Sequence, residues 1–187
     1  MIRIAITGGI GSGKSYVVKL LKKRGIEVYD CDSEAKRLMA SSDDVRRRLT
    51  DLIGPDAYSG DVLNKKVVAD FLLASEDNAK RIEAIVHPAV GEDFLNSGKQ
   101  WVESAILFQS GFDRYVDKAV CVTAPLDIRI GRVMARDSVS REKALQWIER
   151  QWPQEEVLAR CDFEIVNDGV ADLDIQIDRL LDELKRI

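Results

Sequence analysis

The chain has 187 residues, of which 45% are apolar and 32% are charged, and this length and composition are typical of one folded domain with a substantial core. The mixture excludes a disordered chain, which has few apolar residues and a large net charge. The formal net charge of −4 gives no general attraction to nucleic acid or to an anionic membrane. An anionic ligand therefore needs a local binding site.

The cysteines and the N-terminal segment indicate in which cellular compartment the protein is expected. Cys31, Cys121 and Cys161 lie far apart and form no Cys-x-x-Cys motif, so we interpret them as small buried residues in a reducing compartment. No apolar run approaches the roughly 20 residues needed to span a bilayer, and the N-terminal segment reaches glycine too soon for a signal peptide. The sequence predicts a soluble cytoplasmic protein that does not associate with membranes.

The apolar periodicity predicts strands and helices that alternate along the chain. Strands are predicted, in chain order, at residues 3–7, 27–30, 101–107, 118–122 and 164–166. Helices are predicted at residues 13–24, 33–52, 126–136, 141–152 and 173–185, and residues 63–95 are predicted to be helical with breaks at 75–78 and 87–88. This alternation predicts an α/β fold in which helices flank a five-stranded, mainly parallel sheet.

The helical segment between the second and third strands is longer than a crossover connection needs. We therefore predict a helical lobe at residues 33–98, inserted into a single domain that covers residues 1–187. The sequence shows no repeats and no obvious linker.

A glycine-rich motif, residues 8–15, lies between the first predicted strand and the first predicted helix. It reads Gly-Gly-Ile-Gly-Ser-Gly-Lys-Ser and fits the P-loop pattern in the context that this pattern requires. Glycines let successive N–H groups surround an anion, and the helix N-terminus adds a positive dipole end. Lys14 is expected to reach the β- and γ-phosphates of ATP, and the Ser15 hydroxyl to bind Mg²⁺. The residues predicted to bind ATP here are Gly8, Gly9, Gly11, Ser12, Gly13, Lys14, Ser15 and Tyr16.

The motif alone does not identify the acceptor, and three classes of P-loop protein compete. A switch GTPase needs an Asn-Lys-x-Asp motif, which residues 166–169 lack, and a motor ATPase needs an apolar strand ending in aspartate, which residues 101–106 match only weakly. Asp30 and Asp32 after the second strand, together with a late arginine-rich helix, favour a small-molecule kinase. A nucleoside monophosphate kinase, another small-molecule kinase and a regulatory NTPase stay open as alternatives at this point.

Further motifs follow the P-loop in a fixed order. They are Gly25–Asp32, Ile82–Pro88, Arg132–Asp137, Gln151 and Asp162–Gly169. Together with the P-loop, this set resembles the dephospho-CoA kinase family over nearly the whole chain. The resemblance implies a P-loop kinase fold with an acceptor-binding lobe at 33–98 and a lid at 126–152. It also implies transfer of the γ-phosphoryl group of ATP, with Mg²⁺, to the ribose 3′-hydroxyl of dephospho-CoA, without a nucleic acid or an obligate protein partner.

Catalytic roles are expected for Asp32, Lys14 and Arg136. Asp32 can align the acceptor hydroxyl and accept its proton, although an aspartate before Ser33 could also simply cap the next helix. Arg136 belongs to a series with Arg129 and Arg132, spaced i, i+3 and i+7, which places the three on one helical face. That face is either solvated surface or a lid that brings guanidinium groups onto the ATP phosphates.

The remaining site residues are implied by the resemblance. Arg132, Arg136 and Asn167 are expected to bind ATP, and Lys65 and His87 are expected to bind the acceptor in the helical lobe. Glu103, at the third predicted strand, is a second candidate ligand for Mg²⁺ beside Ser15.

The chain departs from the family pattern at several positions. Ala105 and Gln109 stand where the family usually has proline and glutamate, Lys65 stands where arginine is common, and Arg129 stands where glutamine is common. If the missing acid serves the metal or the acceptor, Glu103 is the candidate to replace it.

Overall fold

Strands and helices alternate along residues 2–186, which are the part of the chain that the computed structural model describes. The strands in this range are β1 (Ile4–Thr7), β2 (Val28–Asp30), β3 (Tyr58–Ser59), β4 (Val62–Leu63), β5 (Trp101–Glu103), β6 (Lys118–Thr123) and β7 (Phe163–Val166). The α-helices are α1 (Lys14–Lys23), α2 (Cys31–Ser41), α3 (Asp43–Ile53), α4 (Lys65–Ala74), α5 (Glu76–Asn96), α6 (Leu126–Asp137), α7 (Arg141–Glu149), α8 (Gln154–Leu158) and α9 (Leu173–Leu184). These elements form two compact units, residues 2–29 with 99–186 and residues 30–98.

A five-stranded sheet organises the chain, with the strand order β2-β5-β1-β6-β7. β1 is central and pairs in parallel with β5 and β6, so that Ile6 is level with Glu103 on one side and Val120 on the other. All four residues of β1 are buried, as expected for a parallel strand covered on both faces. The predicted five-stranded parallel sheet flanked by helices is confirmed.

The core of the first unit lies between the sheet and helices α1 and α9. Val17 and Leu21 of α1 and Ile177 of α9 are fully buried against β-strand residues such as Ile6. A smaller apolar cluster joins α6 to α7 and consists of Ile130, Val133, Ala144 and Ile148.

The second unit consists of helices α2–α5 and the short antiparallel pair β3–β4. The long helix α5 packs against α2, α3 and α4 and supplies buried side chains such as Ile85 and Phe94. Polar contacts add to this packing, because Arg37 of α2 forms an ion pair with Asp93 of α5 at 2.7 Å. No helix within residues 2–186 has the length and apolar character that crossing a membrane would need.

The predicted single helix at 33–52 is wrong, because two helices occupy this stretch. Ser42 has an extended backbone, ends α2, and accepts a hydrogen bond from the Val45 N–H at 3.4 Å as the N-cap of α3. A serine side chain that satisfies a free N–H group lets a new helix begin. The charged pattern of this stretch continues across Ser42 and therefore conceals the break.

The break predicted at 87–88 is also wrong, because α5 continues through Pro88. A proline inside a helix costs one backbone hydrogen bond and some strain, and burial of Ile85, Val86 and Val90 around it holds the helix together. The break predicted at 75–78 is confirmed, since Ser75 separates α4 from α5 and caps α5.

The third main strand is shorter than predicted. β5 ends at Glu103, and the apolar run that continues to Leu107 forms turns instead. These turns close with hydrogen bonds from Ser110 N to Ile106 O and from Phe112 N to Leu107 O, and they bury Leu107 without extending the sheet. The helix predicted at 141–152 ends at Glu149, and the short helix α8 and the β3–β4 pair were not predicted.

Asp30 is the N-cap of α2, and Asp32 is not. Oδ1 of Asp30 accepts hydrogen bonds from the N–H groups of Asp32 and Ser33, both at 3.1 Å, and Oδ2 accepts one from the Ser33 hydroxyl at 2.9 Å. Asp32 lies inside the first helical turn with its side chain exposed. The alternative interpretation of Asp32 as a helix cap is therefore excluded.

This assignment predicts different stabilities for two alanine variants. Asp30→Ala removes both acceptor oxygens and should lower the free energy of unfolding by about 0.5–2 kcal/mol. Asp32→Ala should cost less, because it leaves the cap in place. Chemical denaturation of the two variants decides the point, and an equal or larger loss in Asp32→Ala contradicts the assignment.

Candidate active site

The P-loop, residues 8–15, joins the buried end of β1 to the first turn of α1. Gly11 and Gly13 have φ angles of +78° and +93°, a left-handed conformation that glycine adopts without steric cost. Gly13 is the N-cap of α1, and its carbonyl accepts hydrogen bonds from Tyr16 N and Val17 N. The loop therefore leads directly into a helix N-terminus, as the sequence predicts.

Ile10, at the top of the P-loop, is bound on both sides of its backbone by side chains from far along the chain. Nε of Arg129 donates to the Ile10 carbonyl at 3.0 Å. Oε1 of Gln151 accepts a hydrogen bond from the Ile10 N–H at 2.7 Å. Arg129 is only 5% exposed, so this contact is largely shielded from water.

The next two carbonyls of the loop are also satisfied by side chains. Nη1 of Arg132 donates to the carbonyls of Gly11 and Ser12 at 3.3 and 3.1 Å. Nδ2 of Asn167 donates to the Ser12 carbonyl at 2.9 Å. Nη2 of Arg132 in turn donates to the backbone and side-chain oxygens of Asn167 at 3.0 and 3.1 Å. Arg132 and Asn167 thus form one hydrogen-bonded support for the loop.

Unlike these carbonyls, several N–H groups of the loop have no hydrogen-bond partner in the part of the protein that the structure describes. Within residues 2–186, the N–H groups of Gly11, Gly13 and Ser15 donate to no protein acceptor. Lys14 lies across the loop, and its Nζ donates to the Gly8 carbonyl at 2.7 Å. Unpaired N–H groups at a helix N-terminus beside a lysine form an anion-binding site.

Atoms of Arg129 and Asn167 lie so close to three glycines of the loop that a Cβ atom at any of these positions would force a shift. A Cβ atom on Gly9 would lie 2.2 Å from Nη2 of Arg129, and one on Gly11 would lie 2.5 Å from the Arg129 carbonyl oxygen. A Cβ on Gly13 would lie 2.0 Å from Nδ2 of Asn167. The glycine pattern is therefore set by contacts behind the loop as well as by its backbone conformation.

The three arginines of α6 differ in their surroundings. Arg129 is buried and Arg132 is half-buried, and both contact the P-loop, so these two do not belong to a solvated face. Burial lowers the pKa of Arg129, an effect that the negative charge of Glu155 partly offsets.

Arg136 is placed differently. Its side chain is 64% exposed, and its Nη2 forms an ion pair with Asp137 at 2.8 Å. The hydrogen bond to Asp137 raises the pKa of Arg136. The structure therefore brings Arg132 and Asn167 to the P-loop, but it places Arg136 on its neighbour in the chain. Tyr16, in the first turn of α1, is 55% exposed.

Glu103 ends β5 and is level with Ile6 of β1 in the sheet, and the Ser104 N–H donates to the Ile6 carbonyl at 3.0 Å. Glu103 therefore lies at the carboxyl-terminal end of the parallel strands, where β1 leads into the P-loop. The two departures from the family pattern, Ala105 and Gln109, line a small cleft that also includes Thr7 of β1.

The acceptor candidates lie in the second unit. Asp32 is exposed in the first turn of α2, and Lys65 is exposed as the first residue of α4. His87 is half-buried in the middle of α5, so it does not mark a helix end. No cluster of three or more His, Cys, Asp or Glu side chains that could hold a metal ion occurs within residues 2–186.

Sequence reasoning missed the contacts of Gln151 and Arg129 with the loop. Gln151 follows α7 and lies outside every motif with an evident chemistry. Arg129 carried one signal, because it is the residue of the arginine series that lies next to the buried Ile130. That signal does not identify a partner 119 residues away, and nothing in the sequence points from Gln151 to a partner 141 residues away.

Comparison with known proteins gives consistent matches. Residues 2–172 match the family model described as dephospho-CoA kinase. The dephospho-CoA kinase of Bacteroides fragilis (strain YCH46) is 42% identical, over 96% of this chain and 91% of that protein. The crystal structure of TT1252 from Thermus thermophilus is similar with a TM-score of 0.80 and 33% identity, over 98% of this chain and 97% of that one.

A dephospho-CoA kinase from Campylobacter jejuni matches with a TM-score of 0.70 and 20% identity, over 98% of this chain and 97% of that one. At this identity the likeness shows the fold alone.

The contact behind Gly13 predicts the effect of one added methyl group. Gly13→Ala should weaken ATP binding about tenfold or more, because the Cβ would collide with Asn167 and the residue would be strained at φ +93°. Gly131→Ala is the matched control, since that glycine lies within α6 and its Cβ position has no heavy atom within 4 Å apart from the backbone of its own helix and its chain neighbours. Calorimetric titration with ATP measures both, and normal affinity in Gly13→Ala would contradict the described loop geometry.

Proposed function

The chain belongs to the dephospho-CoA kinase family, and we propose that it transfers the γ-phosphoryl group of ATP to the ribose 3′-hydroxyl of dephospho-CoA, giving CoA and ADP. The match to the family model over residues 2–172 carries this proposal, because a P-loop alone is common to many kinases and NTPases. The nucleoside monophosphate kinase and regulatory NTPase alternatives are not favoured, since several relatives over most of the chain are dephospho-CoA kinases.

ATP would bind with its phosphates at the unpaired N–H groups of Gly11, Gly13 and Ser15. Lys14 now contacts the Gly8 carbonyl at 2.7 Å, and we propose that it exchanges this contact for the β- and γ-phosphate oxygens. A charge-assisted contact to phosphate is stronger than one to a neutral carbonyl, so the exchange is favourable.

Mg²⁺ fits the residues present. Ser15 is exposed in the first turn of α1, and no acidic cluster within residues 2–186 forms a complete cage. Mg²⁺ typically combines one or two protein groups with phosphate oxygens and water, so Ser15 would hold it together with ATP, and Glu103 is the second candidate. When bound, the ion neutralises charge on the transferring phosphoryl group.

Asp32 is the proposed base. Its carboxylate would accept the proton of the 3′-hydroxyl while the hydroxyl oxygen bonds to the γ-phosphorus and the bond to the β,γ-bridging oxygen breaks. The transition state of phosphoryl transfer is loose, so the proton can leave late and an ordinary carboxylate is a sufficient base. Asp32 is exposed and has no capping role, which leaves it available for this task.

Residues 126–152 are the proposed lid, and Arg136 is its proposed catalytic arginine. Arg136 would leave Asp137 and contact the phosphates of bound ATP, where its planar guanidinium can bind two oxygens. Closure would exclude water, which competes with the acceptor for the phosphoryl group. Lys65 and His87 are proposed to bind dephospho-CoA, and Tyr16, Arg132 and Asn167 to belong to the ATP site.

A coupled assay of ADP release tests the function. Turnover should require dephospho-CoA and should be absent with nucleoside monophosphates. Lys14→Ala should abolish most turnover, because it removes the charge at the β- and γ-phosphates, whereas Lys19→Ala, on an exposed position of the same helix, should be normal. Turnover with a nucleoside monophosphate in place of dephospho-CoA would refute the proposal.

Asp32→Asn separates chemistry from binding. The variant keeps the size of the side chain but cannot accept the proton, so kcat should fall by roughly 10²–10⁴. ATP affinity should be unchanged, and so should thermal stability, because Asp30 caps the helix. Single-turnover rates and ATP titration measure the two effects, with Asp43→Asn in the first turn of α3 as a control. Loss of ATP affinity along with the rate would argue for a metal-binding role instead.

A further inference from the structure

Ile10 is the point where the P-loop is attached to helices α6 and α7. Its carbonyl is held by Arg129 of α6 at 3.0 Å and its N–H by Gln151 at 2.7 Å. Its side chain packs against the apolar cluster between the two helices, which includes Ile130 and Ile148. One residue is therefore fixed through its donor, its acceptor and its side chain.

Peptide geometry gives this attachment a consequence for the anion site. No cis peptide occurs within residues 2–186, and in a planar trans peptide the C=O and the following N–H point in opposite directions. The Ile10 carbonyl and the Gly11 N–H belong to one peptide plane. When Arg129 holds that carbonyl, the Gly11 N–H, which has no protein acceptor within residues 2–186, is directed away from α6.

The second peptide plane follows the same rule. It carries the Gly9 carbonyl and the Ile10 N–H, and Gln151 holds the N–H. The Gly9 carbonyl is thereby directed into the loop, where it accepts hydrogen bonds from Ser12 N at 3.1 Å and Lys14 Nζ at 3.4 Å. The two side chains together orient both peptides that flank Ile10.

Arg129 and Gln151 lie near the two ends of the α6–α7 pair. Arg129 is in the first turns of α6, and Gln151 comes two residues after α7 ends. Neither side chain donates to the open side of the loop, where the N–H groups of Gly11, Gly13 and Ser15 lie.

We propose that Arg129 and Gln151 are positioning residues that orient the Ile10 peptides and so set the affinity of the P-loop for the nucleotide phosphates. They act through the backbone of the loop and do not touch the reacting atoms. The proposal rests on the proposed function only in assigning ATP as the nucleotide.

Conservative substitutions are available that keep each hydrogen bond. In arginine and in glutamine the nitrogen attached to Cδ stands at the same distance along the side chain, so Arg129→Gln keeps a donor at the position of Nε while it removes the charge. Gln151→Glu keeps the acceptor oxygen for the Ile10 N–H. Arg129→Met and Gln151→Met remove the donor and the acceptor. Methionine has the side-chain length of glutamine, so Arg129→Met is matched in length to Arg129→Gln.

The experiment measures ADP affinity by calorimetric titration and the KM values of both substrates for these variants. Arg129→Met and Gln151→Met should each weaken ADP binding and raise the KM for ATP roughly fivefold to tenfold, with the KM for dephospho-CoA unchanged. Arg129→Gln and Gln151→Glu should recover most of the affinity. The double Met variant should be less impaired than two independent losses predict, because both contacts hold one residue.

Exposed residues of α9 supply the controls, since Arg179→Met and Glu183→Met should leave ADP affinity and both KM values normal. Normal ADP affinity in folded Met variants overturns the proposal, and so does equal impairment in the conservative and Met variants. If Arg129→Met does not fold, the Gln151 pair decides the matter alone. Failure of the wild-type protein to bind ADP would instead refute the proposed function.

Discussion

A backbone that directs its N–H groups towards an anion must direct its carbonyls elsewhere, and those carbonyls need donors. This constraint governs the P-loop of the present chain. The carbonyls of Ile10, Gly11 and Ser12 all accept hydrogen bonds from side chains, and a buried carbonyl left without a donor would cost about 1–3 kcal/mol. The phosphate site therefore depends on the groups behind it as much as on the glycines in front.

The donors come from distant parts of the sequence. Asn167, which follows β7, is 155 residues from Ser12, and Arg129 is 119 residues from Ile10. The loop can take its described conformation only when the parallel sheet has brought β1, β6 and β7 side by side. Local sequence supplies flexibility at residues 8–13, and the tertiary structure selects one conformation from it. Nucleotide affinity is for this reason a property of the whole first unit.

The sequence predicted the sheet well because a buried parallel strand has a simple signature. β1, β2, β6 and β7 lie within one residue of their predicted ends, since each is a short apolar run bounded by loop residues. Two of the errors have a common physical origin, which is that tertiary packing overrides local signals. Burial around Pro88 keeps α5 continuous, and the apolar run after β5 is buried by turns. No local pattern distinguishes these outcomes from a helix end or a longer strand.

The part of the site that was predictable is the part formed by contiguous residues. The P-loop motif identified the anion cradle, and its spacing placed Lys14 and Ser15 at the start of a helix. The partners of the Ile10 C=O and N–H groups were not predictable, because Arg129 and Gln151 act through single hydrogen bonds to backbone atoms that have no sequence signature. A side chain that binds backbone needs only the right reach, direction and a donor or acceptor atom. Several residue types meet these needs, so the residue type alone does not identify the partner.

The two aspartates after β2 show how structure separates roles that sequence leaves combined. Both Asp30 and Asp32 can cap a helix or accept a proton, and the sequence favours Asp32 as the base while leaving a capping role open for it. In the structure Asp30 accepts three hydrogen bonds, two from backbone N–H groups and one from Ser33, so most of its acceptor capacity is committed to starting α2. A carboxylate held in this way has few lone pairs left for a substrate hydroxyl. Asp32 lies two residues further along the chain. Its backbone N–H donates to Asp30, and its side chain is exposed. Because Asp30 forms the cap, the Asp32 carboxylate has no capping role and its backbone is held in place. Both features suit the proposed role of Asp32 as proton acceptor in phosphoryl transfer.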